Sequence, residues 1–354
     1  MENQAPGQRN PSRTLATEPR LDPRLAEAFR IRDELMEERK PLPKTVNYEE
    51  ALKFCASFEK MATMIHPMLW KAMPDFPTVG ARQHYVTGVD GNEITLHIHE
   101  PLERSDALPC IVHIHGGGMV MMSAEDPNFV RWRNTLASLG MVVVGIEFRN
   151  GSGRLGNYPF PAGLNDCSSG VQWVIAERER LNISSMVISG ESGGGNLAIS
   201  TTLKAKQEGW GDAIDGVYAC CPYIFGRYQS PPAELPSLRE NDGYLLSLES
   251  MNIMATAYDP DGLGASNPLV WPLTASLDDL SGLPPHVISV NELDPLHDEG
   301  VAFLRKLYLA RVPAVGRAVL GTAHASDVSM AATLPDVYLE TAKSVYEFAN
   351  SLAV

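Results

Sequence analysis

The spacing of apolar positions changes twice along the chain. Over residues 21–80 apolar side chains recur at helical spacing. Asp22-Pro23 opens the first predicted helix, because Pro tolerates the first helical position, where its missing N–H is not needed. Leu25, Ala28, Phe29 and Met36 then share one face. A second helix is predicted from Asn47, carrying Leu52, Cys55 and Phe58 and ending in the Pro-rich stretch Pro74 to Pro77. Met61, Met64, Met68 and Met73 cluster here. They are expected to fill a core, with a flexible substrate-facing surface as the alternative.

The period then shortens to two. Tyr85 to Val89, the turn Asp90-Gly91-Asn92, and Glu93 to His99 read as a β-hairpin. Ile94, Leu96 and Ile98 alternate with Thr95, His97 and His99, which places the two His on a polar face. After the hairpin, short apolar strands alternate with helical patterns. The strands are Cys110 to Ile114, Met141 to Ile146, Met186 to Ser189, Val217 to Cys221, Val287 to Val290 and Ala318 to Leu320. Leu304, Leu307 and Tyr308 mark one helix; Val345, Phe348, Ala349 and Leu352 mark the last. Such alternation predicts an α/β fold with a parallel sheet covered on both faces. Residues 223–282 break the rhythm around a helix near Leu248 to Tyr258 and are expected to form a lid or pocket wall. The resulting division is a polar, frayed leader (1–20), a helical cap segment (21–80) and a catalytic domain (81–354).

Composition removes several function classes. The chain has 354 residues, 44% hydrophobic and 20% charged, enough to bury a large core. Its net charge of −14 argues against a nucleic-acid partner, which needs clustered Lys and Arg. No apolar run is long enough for a membrane span. The five cysteines, Cys55, Cys110, Cys167, Cys220 and Cys221, form no CxxC pair. Reduced thiols in the cytoplasm are expected, with no disulfide framework. His97 and His99 lack an evident third ligand, so no metal is expected.

Two motifs carry the chemistry. Gly190-Glu191-Ser192-Gly193-Gly194 follows an apolar strand and precedes a helical pattern. That is the strand–turn–helix setting in which a nucleophilic Ser stands exposed on a tight turn flanked by small residues. His115-Gly116-Gly117-Gly118 follows the strand Cys110 to Ile114. Acyl transfer builds negative charge on a carbonyl oxygen, and backbone N–H groups can meet it where no side chain intervenes. The amides of Gly117, Gly118 and Gly193 are the expected oxyanion donors, with His115, Gly116 and Glu191 in support. Asp294 follows the strand Val287 to Val290, and Pro295 keeps it out of helical geometry. Asp298 and Glu299 fall in the next helix's first turn, where their charge suits the helix dipole. The base should come last in the order Ser, Asp, His. That selects His324, in Gly321-Thr322-Ala323-His324, over the helical His297.

These motifs resemble the hormone-sensitive-lipase-like branch of the α/β hydrolases over roughly residues 80–350. The resemblance continues in Asp294-Pro295-Leu296-His297-Asp298-Glu299-Gly300, similar to the branch's D-P-L-x-D-E-G segment, whose first Asp completes a triad. Gly88 to Glu93, Gly190 to Ile199 and Asn241-Asp242-Gly243-Tyr244 are similar to stretches of its bacterial members. The resemblance implies a mostly parallel eight-stranded sheet flanked by helices, with a helical cap. It implies a serine carboxylesterase that hydrolyses a small-molecule ester or lactone without cofactor. The chain departs from many relatives in Phe148-Arg149-Asn150-Gly151 and in Ala325-Ser326 after the His, which bears on substrate. Two other readings compete. A catalytically silent receptor, as in the plant gibberellin receptors, lacks the catalytic His, whereas all three triad positions are filled here. A serine peptidase of related fold lacks the H-G-G-G loop. The residues do not decide between a monomer and a homodimer.

Overall fold

The computed structural model describes residues 14–37, 42–43 and 45–353. Its N-terminal part is helical, with α1 (Pro23–Glu37), α2 (Tyr48–Ala62) and α3 (His66–Lys71). Asn47 starts α2 as expected: its side chain accepts the Glu50 N–H at 3.0 Å, while the Glu50 carboxylate accepts the Asn47 N–H at 2.9 Å. The hairpin is β1 (Val79–Thr87) and β2 (Glu93–Pro101). Next come β3 (Leu108–Ile114), α4 (Pro127–Ser138), β4 (Val142–Glu147), α5 (Ala162–Ala176), β5 (Ile183–Glu191), α6 (Gly193–Glu208) and β6 (Gly216–Cys220). The 223–282 region contributes α7 (Ser237–Glu240), α8 (Leu248–Tyr258) and α9 (Leu277–Leu280). The chain ends in β7 (His286–Leu293), α10 (His297–Leu309), β8 (Ala314–Ala323), α11 (Ser326–Ser329) and α12 (Pro335–Ser351).

All eight strands join one sheet in the order β1-β2-β4-β3-β5-β6-β7-β8. The pairs β1–β2 and β2–β4 are antiparallel, and the rest are parallel. The interior strands are apolar on both faces because helices cover both. Ile111, Val143 and Val187 face Trp132, Leu136, Val345 and Ala349 from α4 and α12. Val112, Val144 and Ile188 belong to the cluster with Leu164, Val171 and Leu197 from α5 and α6. Each such side chain contributes roughly 1.5–3 kcal/mol through burial. A parallel sheet also gathers its strand C-termini at one edge, where ligands bind in α/β folds. His115, Ser192, Cys221, Asp294 and His324 directly follow β3, β5, β6, β7 and β8 there.

Three expectations change. The polar face that carries His97 and His99 is buried and not solvent-exposed, because β2 lies inside the sheet and α4 covers that side. Arg133 of α4 donates Nε–H to His99 Nε2 at 3.0 Å, and Asn134 bonds His99 Nδ1 at 2.7 Å. With both ring nitrogens engaged beside a guanidinium, His99 offers no cation a ligand. The leader is not frayed over residues 14–20. Leu15 anchors it, packing with Leu21, Leu25 and Phe29 against Tyr244, Leu293, Ala323 and Leu334. The Tyr244 hydroxyl donates to Glu18 at 2.9 Å, and the Asp22 N–H donates to the Gly321 carbonyl at 2.9 Å. Residues 1–13, and the side chain of Met36, lie outside the described residues. Met64 and Met68 are exposed, not core. In the 223–282 region, Tyr223, Tyr228, Tyr258 and Trp271 are buried in the main core.

Candidate active site

Ser192 sits between β5 and α6 with φ 56° and ψ −119°, a conformation that a non-glycine residue adopts only when its surroundings enforce it. Those surroundings are hydrogen bonds and close packing. The Ser192 N–H donates to the Cys220 carbonyl at 2.9 Å, and the Ser192 carbonyl accepts from Tyr223 and Asn196, both at 3.1 Å. The flanking glycines have no alternative. A Cβ on Gly190 would stand 2.4 Å from the Gly194 backbone, and one on Gly194 would stand 2.0 Å from the Ile114 carbonyl oxygen. The close approach of β5, α6 and the end of β3 thus requires the small residues that the motif supplies.

The glycine loop after β3 lies against this turn. A Cβ on Gly193 would meet the amide nitrogens of Gly118 and Met119 at 2.7 and 2.5 Å. Gly117 (φ 106°), Gly118 (φ 62°), Met119 (φ 62°) and Met122 (φ 77°) are all left-handed. Val120 and Met121 donate their N–H groups to the Gly117 carbonyl at 3.1 and 3.2 Å, closing the loop on itself. Among the described residues, the amides of Gly117 and Gly118 donate to no protein acceptor. Gly193, as the first residue of α6, has no intrahelical acceptor.

The supporting residues brace this loop. Glu191 accepts the Gly116 N–H at 2.8 Å and the His113 Nε2–H at 3.1 Å. Burial holds the His113 ring below its usual pKa, so a neutral imidazole faces a charged carboxylate. His115 donates Nδ1–H to the Gly116 carbonyl at 2.7 Å and stacks on Phe148, centroids 4.3 Å apart. Met254 of α8 covers the loop from outside, its sulfur 2.9 Å from where a Cβ on Gly118 would lie.

Asp294 is fully buried and bonds His324 Nδ1 through Oδ2 at 2.7 Å. Its Oδ1 accepts the Leu296 N–H at 2.9 Å, across Pro295. His324 follows β8, and the next residue is tied back by the Ala325 N–H to Asn291 Oδ1 at 3.1 Å. Asp298 points elsewhere: it accepts the Ser237 N–H at 2.7 Å and pairs with His297 at 2.9 Å. Glu299 is not a surface dipole partner. Burial pushes its pKa well up, and it accepts from the Ile224 N–H at 2.7 Å and from the Tyr228 hydroxyl at 3.2 Å. The Ser192 N–H bonds the Cys220 carbonyl, and the sulfur of the next residue, Cys221, an Asp294 oxygen and a His324 nitrogen lie within 4.8 Å of one another.

This arrangement matches known proteins. The profile of a family described as the alpha/beta hydrolase fold covers residues 111–327. Brefeldin A esterase, a bacterial homologue of human hormone-sensitive lipase, is 41% identical, with 95% of each chain covered and a TM-score of 0.86. The chain belongs to the α/β-hydrolase family. The hydrolase also superimposes on esterase Est22 at 38% identity, covering 96% of this chain and 100% of that one, with a TM-score of 0.85. An arylesterase from Saccharolobus solfataricus is 27% identical over 76% of this chain and 84% of its own length. The expected hormone-sensitive-lipase-like branch and the eight-stranded, mostly parallel sheet are both borne out. Among the described residues no helix is long and apolar enough to cross a membrane.

Some contacts at the hydrolase site are not evident from motifs. Asn241 donates to the carbonyls of Glu292 and Asp294 at 3.2 and 3.1 Å, fixing the turn that presents the carboxylate. It begins the Asn241 to Tyr244 stretch, whose similarity to bacterial members was the available signal. Glu59 of α2 accepts backbone N–H groups from Met122 and Arg154. The sequence held no signal for it beyond the four-residue spacing from Ala51 and Cys55, which the fold shows to be a buried stripe.

Buried imidazoles outside the pair give the fold an acid limit. Burial lowers the pKa of His97, His99, His113 and His286, to about 3 for His99 and about 4 for His286. These rings stay neutral in the fold, while the unfolded chain takes up protons below pH ~6.5. Stability therefore falls as pH drops through that value. Each ring contributes up to about 1.4 kcal/mol per pH unit until its folded pKa is reached. His286→Leu is expected to flatten this slope between about pH 6 and 4. Denaturant unfolding at several pH values checks it; an unchanged slope would show that His286 does not contribute.

Proposed function

We propose that this α/β hydrolase is a serine carboxylesterase acting on small-molecule esters or a lactone through an acyl-enzyme. The coarser statement, that it is a carboxylic ester hydrolase, is supported by relatives named arylesterase, carboxylesterase and brefeldin A esterase. One observation carries the finer one: the 2.7 Å His324–Asp294 bond at the same sheet edge as the left-handed Ser192 turn. His324 Nε2 takes the Ser192 proton as Oγ attacks the ester carbonyl. Asp294 accepts the Nδ1–H and stabilises the imidazolium. The oxyanion is met by the N–H groups of Gly117, Gly118 and Gly193. As the tetrahedral species collapses, His324 gives the proton to the leaving alcohol. Water, deprotonated by the same imidazole, then attacks the acyl-Ser192 carbonyl, releasing the acid and restoring the hydroxyl. Met254 over Gly118 supports a pocket for short-to-medium esters.

The test is titration with an organophosphate, followed by peptide mass mapping, with p-nitrophenyl butyrate turnover as readout. One phosphoryl group per chain on Ser192, with turnover lost in step, is expected. Full turnover in the labelled protein would overturn the mechanism. Absence of both labelling and turnover across an ester panel would favour the receptor reading.

A further inference from the structure

We propose that Glu59, on α2 of the expected cap, is a positioning residue that sets the oxyanion loop. The inference rests on the esterase reading for its kinetic consequence. Glu59 continues the apolar stripe of α2 and is buried, a place where a carboxylate is costly unless its oxygens are bonded. Both are. Oε1 accepts the Met122 N–H at 2.7 Å, and Oε2 accepts the Arg154 N–H at 2.6 Å. The second loop wraps tightly around the carboxylate: Gly153 has φ 78°, and a Cβ there would come within 2.6 Å of Oε2. The Arg154 side chain pairs in turn with Asp126, ahead of α4.

The oxyanion loop needs an outside hold. Met119 and Met122 are left-handed without being glycine, a conformation that relaxes when nothing enforces it. The Gly151 N–H bonds the Met119 carbonyl at 2.9 Å, and Asn150 Nδ2 bonds the Met122 carbonyl at 2.6 Å. The Met122 N–H has no partner in the loop itself and goes to Glu59. The carboxylate therefore fastens the loop directly at Met122. It also fastens the 150–154 segment behind that loop, through bonds strengthened by its charge. A glutamine can accept one of these N–H groups but must turn its own N–H toward the other, leaving a buried clash of donors. Because α2 also packs on α8, whose Met254 covers Gly118, one helix governs both the outer wall and the loop beneath it.

Glu59→Gln and Glu59→Asp in the full chain test this, with Cys55→Ala as a control on the same stripe. Cys55 is buried on α2, one turn before Glu59. Amide exchange of peptides spanning 116–123 and 150–156 should quicken by about tenfold or more in Glu59→Gln, while strand peptides keep their protection. For p-nitrophenyl butyrate, kcat should fall about 10- to 100-fold with KM within about twofold. Inhibition by a trifluoromethyl ketone, whose adduct carries the oxyanion, should weaken by the same factor as kcat/KM. Glu59→Asp keeps the charge with less reach and should fall between; it carries the same reading if Glu59→Gln does not fold. Cys55→Ala should lower the melting temperature and leave kcat unchanged. Unchanged exchange over 116–123, a loss confined to KM, or an equal kcat loss in Cys55→Ala would overturn the proposal. Wild-type protein without ester turnover would defeat the esterase reading, and the exchange data would still decide the clamp.

Discussion

Ser192→Ala is expected to fold as the parent does and to lose on the order of 10⁴–10⁶ in kcat for any ester that the parent cleaves. The folding half follows from the geometry. The Ser192 turn is held by its backbone N–H and carbonyl, and its hydroxyl makes no capping bond to α6. Alanine meets the same φ of 56° with the same Cβ, so the conformational cost is unchanged. Unfolding free energy should stay within about 0.5 kcal/mol of the parent. The catalytic half follows from the proposed chemistry. Without Oγ, His324 has no proton to take and no acyl-enzyme forms. What remains is water beside an intact glycine loop, which retains a small enhancement over solution. The check is kcat for p-nitrophenyl esters together with denaturant unfolding. Turnover within about tenfold of the parent in a folded variant would mean that another group attacks the carbonyl.

How much of this was legible before folding depends on whether a residue's constraint is local. The elbow was legible because its geometry is written in adjacent positions: Gly190 and Gly194 are small where backbone atoms stand 2.0–2.4 Å from an added Cβ. The strands were legible for the same reason, although some of their ends were misplaced. β8, expected over Ala318 to Leu320, extends from Ala314 to Ala323, and its early residues Val315 and Gly316 are exposed, so they carry no burial signal. Residues whose role depends on a distant partner were not legible. The alternation of β2 predicted a polar side but not its burial under Arg133 from α4. The leader looked polar because the surface on Tyr244, Leu293 and Ala323 that takes up its apolar residue Leu15 exists only after folding. Glu59 carries no local mark of its role, which arises only because α2 places it between two loops.

The two aspartates after β7 offer the sharper test, since they lie four positions apart and the structure gives them different partners. Asp294→Asn should lower kcat by roughly 10²–10⁴. Asp294 Oδ1 accepts the Leu296 N–H at 2.9 Å, and Oδ2 faces His324 Nδ1 at 2.7 Å. An asparagine that keeps its oxygen on Leu296 must present its NH₂ to His324. Nδ1 then becomes the acceptor and the ring proton moves to Nε2, the atom that has to receive the Ser192 proton. The imidazole is present, in place, and in the wrong tautomer. Turning the amide over instead leaves the buried Leu296 N–H facing a donor, which costs roughly 1–3 kcal/mol. Asp298→Asn breaks different bonds. Its Oδ2 accepts the Ser237 N–H at 2.7 Å, and its other oxygen pairs with His297, so the loss falls on the joint between α7 and α10. Its expected effect is about 1 kcal/mol of stability, with kcat within about threefold of the parent. Kinetics and denaturant unfolding on both variants separate the roles. A larger kcat loss in Asp298→Asn than in Asp294→Asn would move the triad carboxylate one helical turn along the chain and refute the assignment.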